Sequence, residues 1–144
     1  MNDELYHRAI LELAKQARQA GRLEAPQASV TVDNPLCGDR VTLDLSLADG
    51  RVREVGHKVR GCLLCQAAAA AIGERAPGET PAALRVIAKD LADAIAGAPE
   101  TAGRTWPELA AFAPVHAHKS RHECVLLPFE ALTQALDEVE ANDR

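Results

Sequence analysis

Apolar positions change their period along the chain, and those changes mark out its elements. Leu5, Ala9, Leu13 and Ala17 recur every four residues and Gly21 follows them, which predicts an amphipathic helix from residue 3 to about 20. Ala28-Ser-Val-Thr-Val is β-prone and leads into the Asn34-Pro35 turn. Val41, Leu43, Leu45 and Leu47 then alternate with Thr42, Asp44 and Ser46, the pattern of a half-buried strand. Ala48-Asp49-Gly50 predicts a hairpin turn, and Val52, Val55 and Val59 mark the returning strand.

Gly61 ends that strand, and a helix is predicted from Cys62 or Leu63 through the alanine run to about Arg75. Pro77-Gly78 stops it, and Thr80 then reads as an N-cap with Pro81 in the first helical position. Leu84, Ile87, Leu91 and Ile95 form one face of this next helix, closed by Gly97. Residues 98–120 read as a Pro- and Ala-rich connection with a helical turn or two around Trp106–Phe112, Trp106 serving as a core plug. A last helix is predicted near Pro128, burying Phe129, Leu132, Leu136 and Val139. Helix, antiparallel strands, then helices make an α+β chain: a small two-layer domain, about three strands packed by helices, in a single unit over 1–144.

Composition narrows the function classes. The chain has 144 residues, enough to bury a core without disulfides, and only 3% aromatic residues, so aliphatic side chains must fill it. The net charge is -5 and no run of Lys and Arg occurs, which argues against nucleic-acid binding and for protein partners. The first residues, Met1 to Tyr6, carry neither a basic stretch nor a long apolar run, and no segment is long enough to span a bilayer; the expectation is a cytoplasmic protein with no membrane contact. In that setting four cysteines point to metal binding or thiol chemistry rather than to bridges.

Cys37 and Asp39 flank a glycine at the start of a strand, Cys62 stands at a helix N-terminus, and Cys124 follows Arg121 and His122 just before the last helix. The helix dipole at Cys62 favours its thiolate and predicts a lowered pKa. Three thiolates and one carboxylate can form a tetrahedral site for Zn²⁺ or hold iron with sulfide. A free cysteine is also often a small buried hydrophobe. For Cys65 two roles stay open: a buried structural residue, or a spare ligand, sulfur relay or redox partner within Cys62-Leu-Leu-Cys65. His7 reads as a helix-surface residue, and His57, His116 and His118 as solvated polar residues rather than ligands. His122 is expected to point away from Cys124.

The frame Asn34-Pro35-Leu36-Cys37-Gly38-Asp39, then Gly61-Cys62 opening a helix, then Arg121-His122-Glu123-Cys124, resembles the IscU/NifU-like iron–sulfur cluster assembly proteins over most of the chain. The long gap from Cys62 to Cys124, Glu123 where an IscU-type protein usually has histidine, and Arg121 three residues before the cysteine are similar to the SufU type. The resemblance implies that Cys37, Asp39, Cys62 and Cys124 are ligands of a metal or cluster; the extra thiol of Cys65, a departure from the family pattern, stands as an alternative to Asp39. It implies that Cys124 accepts persulfide sulfur from a cysteine desulfurase of the SufS type and that Arg121 assists by pairing with Asp39 or steering the persulfide. Zn²⁺ is then the expected cofactor, with iron or a [2Fe-2S] cluster as the alternative, and apo iron–sulfur acceptor proteins are the further partners. Docking of an Hsc-type chaperone is not expected, because the proline-valine-lysine segment it uses is absent. Serines and small residues commonly follow the Gly-Cys pair in the family, whereas this chain has Leu63-Leu64-Cys65-Gln66.

The expected function is therefore sulfur acceptance in iron–sulfur cluster biogenesis, which leaves open a zinc-dependent sulfurtransferase activity acting with the desulfurase. A scaffold that assembles and transfers a [2Fe-2S] cluster is the alternative. A thiol-disulfide redox protein using Cys62 and Cys65, or a purely structural zinc domain, would follow if the resemblance misled.

Overall fold

The computed structural model describes residues 7–19, 21–36 and 38–142. Leu5 and Cys37 lie outside the described residues. The elements are α1 (Arg8–Gln19), β1 (Ala28–Asn34), β2 (Asp39–Ala48), β3 (Arg51–Arg60), α2 (Leu63–Arg75), α3 (Pro81–Gly97) and α4 (His122–Asn142), with short 3₁₀ turns between α3 and α4. The strands form one antiparallel sheet in the order β1-β2-β3, an α+β architecture as expected.

Alternation places Val41, Leu43 and Leu45 on the inner face of β2, fully buried under the helices. Asp49 (φ 54°) and Gly50 (φ 77°) make the two-residue turn between Ala48 and Arg51, both in the left-handed region that this hairpin type demands. The outer face departs from the expected half-buried strand. Asp44 is 0% exposed, because the segment after α1 crosses the sheet there. Gly56 permits the crossing: a Cβ on it would stand 2.7 Å from the Gly21 carbonyl oxygen. Asp44 accepts hydrogen bonds from Arg22 Nε (2.6 Å), the Ser29 hydroxyl (2.7 Å) and the Leu23 backbone N–H (3.0 Å). Burial alone would raise this carboxyl, but those donors outweigh it and hold it below the usual aspartate range.

Helix α2 is apolar on every side, with Leu64 through Ile72 buried apart from Gln66, and its alanines let α1 and α4 pack closely against it. In α1 the buried stripe is Ile10, Leu13 and Ala14; Ala9 is exposed, contrary to expectation, since a 3.6-residue turn drifts away from a strict spacing of four. Thr80 caps α3 as expected, its hydroxyl accepting from the Ala83 N–H at 3.2 Å.

Two expectations about the C-terminal half are corrected. The connection is more regular than a loop. Pro107–Ala117 is a 3₁₀ helix, and Leu109, Phe112 and Val115 recur every three residues to bury one edge, the period of three residues per turn. Trp106 plugs the core as expected, with Nε1 donating to Glu79 at 3.3 Å. Helix α4 begins at His122, not near Pro128, and carries the proline inside it. Proline removes the donor that would meet the Cys124 carbonyl. Val125 and Leu127 are nevertheless buried beside Leu132 and Leu136, so their packing carries the helix across the break. Cys124 therefore sits in the first turn of α4 rather than before it.

Candidate metal and thiol site

Three element ends converge. Asp39 opens β2, Cys62 is the N-cap of α2, and Cys124 is the third residue of α4. One ligand atom from each, a carboxylate oxygen and two Sγ atoms, fall within 4.8 Å of one another. Asp39 is 4% and Cys124 1% exposed. The Asp39 carboxylate accepts from the Cys62 backbone N–H (Oδ1, 3.2 Å) and from the Cys62 thiol (Oδ2, 3.6 Å). It thereby satisfies an N–H at the end of α2 while its other oxygen faces the thiol. Gly61 makes the approach possible, since a Cβ there would lie 2.6 Å from Asp39 Oδ1.

Residues 5–125 match the family described as NifU-like N terminal domain. The chain belongs to this family. It is 28% identical over 97 residues to the iron–sulfur cluster assembly scaffold protein IscU 1 of Archaeoglobus fulgidus, covering 67% of this chain and 63% of that relative, so it spans less than two thirds of that protein's length. It is 24% identical over 141 residues to the zinc-dependent sulfurtransferase SufU of Bacillus subtilis, covering 98% of this chain and 95% of the relative. The N-terminal part of a NifU-like protein from Brucella abortus superposes with a TM-score of 0.84 at 30% identity, covering 96% of each chain.

Within this family fold the thiols carry an electrostatic problem. Burial, then the charge of Asp39, pushes the Cys62 thiol up, against the opposing pull of the Cys65 and Leu64 backbone N–H groups and the Cys124 thiol. Burial, then Cys62, pushes Cys124 up as well; a hydrogen bond from the Arg121 side chain pulls the other way without winning. The expected lowering of Cys62 by the helix end is thus reversed, because desolvation exceeds the dipole. A buried carboxylate and two thiols cannot all be anionic this close together unless a cation joins them. A divalent metal would supply that charge. The donor set fits one: tetrahedral zinc with a thiolate at about 2.3 Å and a carboxylate oxygen at about 2.0 Å spaces those two atoms by about 3.5 Å, and the Cys62–Asp39 pair stands at 3.6 Å.

Cys65 is fully buried in the hydrophobic core and lies outside this group of three. Of the residues singled out from the sequence, Asp39, Cys62, Cys124 and Arg121 come together, the last through its hydrogen bond to the Cys124 thiol. His57 and His116 are not the solvated residues expected, whereas His122 turns away from Cys124 as expected. His7 Nε2 donates to the Ala111 carbonyl at 2.9 Å, His116 Nδ1 to Ile95 at 2.7 Å, and His122 Nε2 to His116 at 3.1 Å, so the last two brace the entry to α4. His57 is buried rather than solvated, its Nδ1 without a hydrogen-bond partner. The strand alternation Val55, His57, Val59 already carried that signal, because it puts the ring on the inner face. Glu123 is exposed. No described helix is long and apolar enough to cross a membrane.

Proposed function

We propose that the protein accepts persulfide sulfur from a cysteine desulfurase of the SufS type on Cys124, within a zinc site formed by Asp39, Cys62, Cys124 and Cys37, and passes it towards apo iron–sulfur proteins in the cytoplasm. The observation that carries this is the buried Cys124 thiol grouped within 4.8 Å of Cys62 and the Asp39 carboxylate, with the Arg121 side chain acting on it. The SufU relative, a zinc-dependent sulfurtransferase, supports it over nearly the whole chain. Cys37 joins the proposed set by its position two residues before Asp39, and its neighbours Pro35 and Gly38 line the same concavity as that carboxylate. Cys65, embedded in the core, serves packing.

When bound, zinc holds the thiols as thiolates. The chain's own residues then do the rest. The Cys124 sulfur attacks the outer sulfur of the donor's persulfide; a new S–S bond forms at Cys124, the donor's S–S bond breaks, and the donor cysteine leaves as thiolate. The hydrogen of the persulfide travels with the moved sulfur, so no oxidant or reductant is consumed. Arg121 offers its guanidinium to the anionic sulfur at the point of transfer. The test is alanine release by the desulfurase with cysteine as substrate. The protein should accelerate turnover and Cys124→Ser should abolish the acceleration; an equal rate with the variant refutes the assignment.

A second function, assembly of a [2Fe-2S] cluster, is favoured by the same carboxylate. One oxygen ligand among thiolates holds a cluster loosely, as transfer requires. The A. fulgidus relative is a scaffold protein. Anaerobic reconstitution without charge-transfer absorption excludes it.

A further inference from the structure

The outer face of the sheet is open over half its length, and the open half is basic. Near the hairpin the crossing segment with Arg22 and Leu23 covers the Asp44–Gly56 row. Towards the thiol end Arg40, Thr42, Lys58 and Arg60 stand free of any helix. Arg40 lies directly opposite Arg60 across β2–β3, and like charges so placed oppose sheet pairing. Arg40 has Asp33 at 2.6 Å, but Lys58 and Arg60 have no acidic partner among the described residues. A concavity of about 230 Å³ is lined by these side chains with Arg22, and no carboxylate lines it. Such a concentration of positive charge in a chain of net charge -5 needs an explanation from outside the chain.

Arg40 and Arg60 also line a second concavity, about 430 Å³, which reaches Asp39, Pro35 and Gly38. The basic strip therefore reaches Asp39, the carboxylate grouped with Cys62 and Cys124. The turn at its edge leaves Leu36 95% exposed, its backbone N–H held by the Asn34 side chain at 3.0 Å. This large apolar side chain stands in the open beside the site, where an apolar socket on a partner would cover it.

We propose that this strip docks an acidic surface of the sulfur-donating protein, which receives Leu36 in an apolar socket and delivers its persulfide along the strip to Cys124. The proposal rests on sulfur acceptance as the function. An acidic protein fits better than a nucleic acid, because the side chains that line the strip include no aromatic ring for bases to stack on. Positive charge beside the site steers an acidic donor into register.

The experiment is the Kd of the full-length, zinc-loaded protein for the SufS-type desulfurase of the same organism, by calorimetry at low and high salt. Lys58→Glu with Arg60→Glu should weaken binding about tenfold at low salt and flatten its salt dependence. Leu36→Ser should weaken it several-fold at both salts, with zinc content unchanged in each variant. A Kd and salt slope equal to wild type in the double variant overturns the proposal. So does displacement of the desulfurase by a single-stranded DNA oligonucleotide at comparable concentration. If wild type binds with the predicted salt dependence yet gains no sulfur, docking stands and sulfur acceptance falls.

Discussion

Gly61→Ala tests the geometry of the site without touching a ligand. The added Cβ would meet Asp39 Oδ1 at 2.6 Å and Cγ at 2.7 Å, and real Cβ contacts essentially never fall below 3.0 Å. The carboxylate must therefore retreat from 2.6 to at least 3.0 Å, a shift of 0.4 Å, and further to reach ordinary contact at 3.4 Å. Metal–ligand distances tolerate about 0.2 Å, so the displacement exceeds what a coordinated oxygen can absorb. It also lengthens the Cys62 N–H bond to Asp39, now 3.2 Å, and so loosens the start of α2 at a cost of about 1 kcal/mol. The expected outcome is a zinc affinity lowered about 10- to 100-fold with a stable fold. Competition with a chromophoric chelator measures the affinity, and urea unfolding of the metal-free protein measures the fold. Zinc affinity within twofold of wild type would refute the claim that Asp39 is a ligand held in place through the bare Cα of Gly61.

Asp44→Ala orphans the Leu23 N–H and should cost about 2 kcal/mol in urea unfolding at neutral pH. Because the folded carboxyl is held below its ordinary value, its stabilisation is present above about pH 3.9 and is lost as pH falls through the folded pKa, so the variant should show a shallower acid transition. His57, 3% exposed and held down by burial, stabilises the fold as a neutral ring above about pH 6.5 and loses that contribution as pH falls towards its depressed folded pKa. The melting temperature of metal-free wild type should therefore drop between about pH 7.5 and 5.5, and His57→Leu should flatten the drop; equal slopes would contradict the argument. Cys65→Ala should cost about 1 kcal/mol for the small cavity and leave zinc at its wild-type stoichiometry. Loss of zinc would make Cys65 a ligand.

The strands were legible because alternation over Val41, Leu43 and Leu45 has one interpretation and Asp49-Gly50 marks the turn, but the register was not: a β-bulge shifts the pairing by one between Leu47↔Val52 and Ser46↔Glu54, and this shift brings Val55, His57 and Val59 opposite Leu45, Leu43 and Val41. Helices α2 and α3 were legible from Gly61, Thr80-Pro81 and Gly97. The start of α4 was not. Pro128 reads locally as a boundary, and only the packing of Val125 and Leu127 shows that the helix runs through it. The 3₁₀ segment escaped because its period of three lies between the two periods sought. At the site, residue types and neighbours in the sequence pointed to Asp39, Cys62, Cys124 and Arg121, but desolvation is a property of the assembled pocket. A cysteine at a helix N-terminus promises a thiolate, and burial among Asp39 and Cys124 reverses that promise until a cation arrives. The basic strip was hidden for the same reason: Arg40 is far in sequence from Lys58 and Arg60 and meets them only through the pairing of β2 with β3.

The most direct test of the account is intact and peptide-level mass spectrometry of the anaerobically purified, zinc-loaded protein after incubation with the desulfurase and cysteine. The account predicts a gain of one sulfur atom located on Cys124, removed by a reducing thiol and missing in Cys124→Ser. Sulfur found on Cys62 or Cys65 while Cys124 stays unmodified would contradict it.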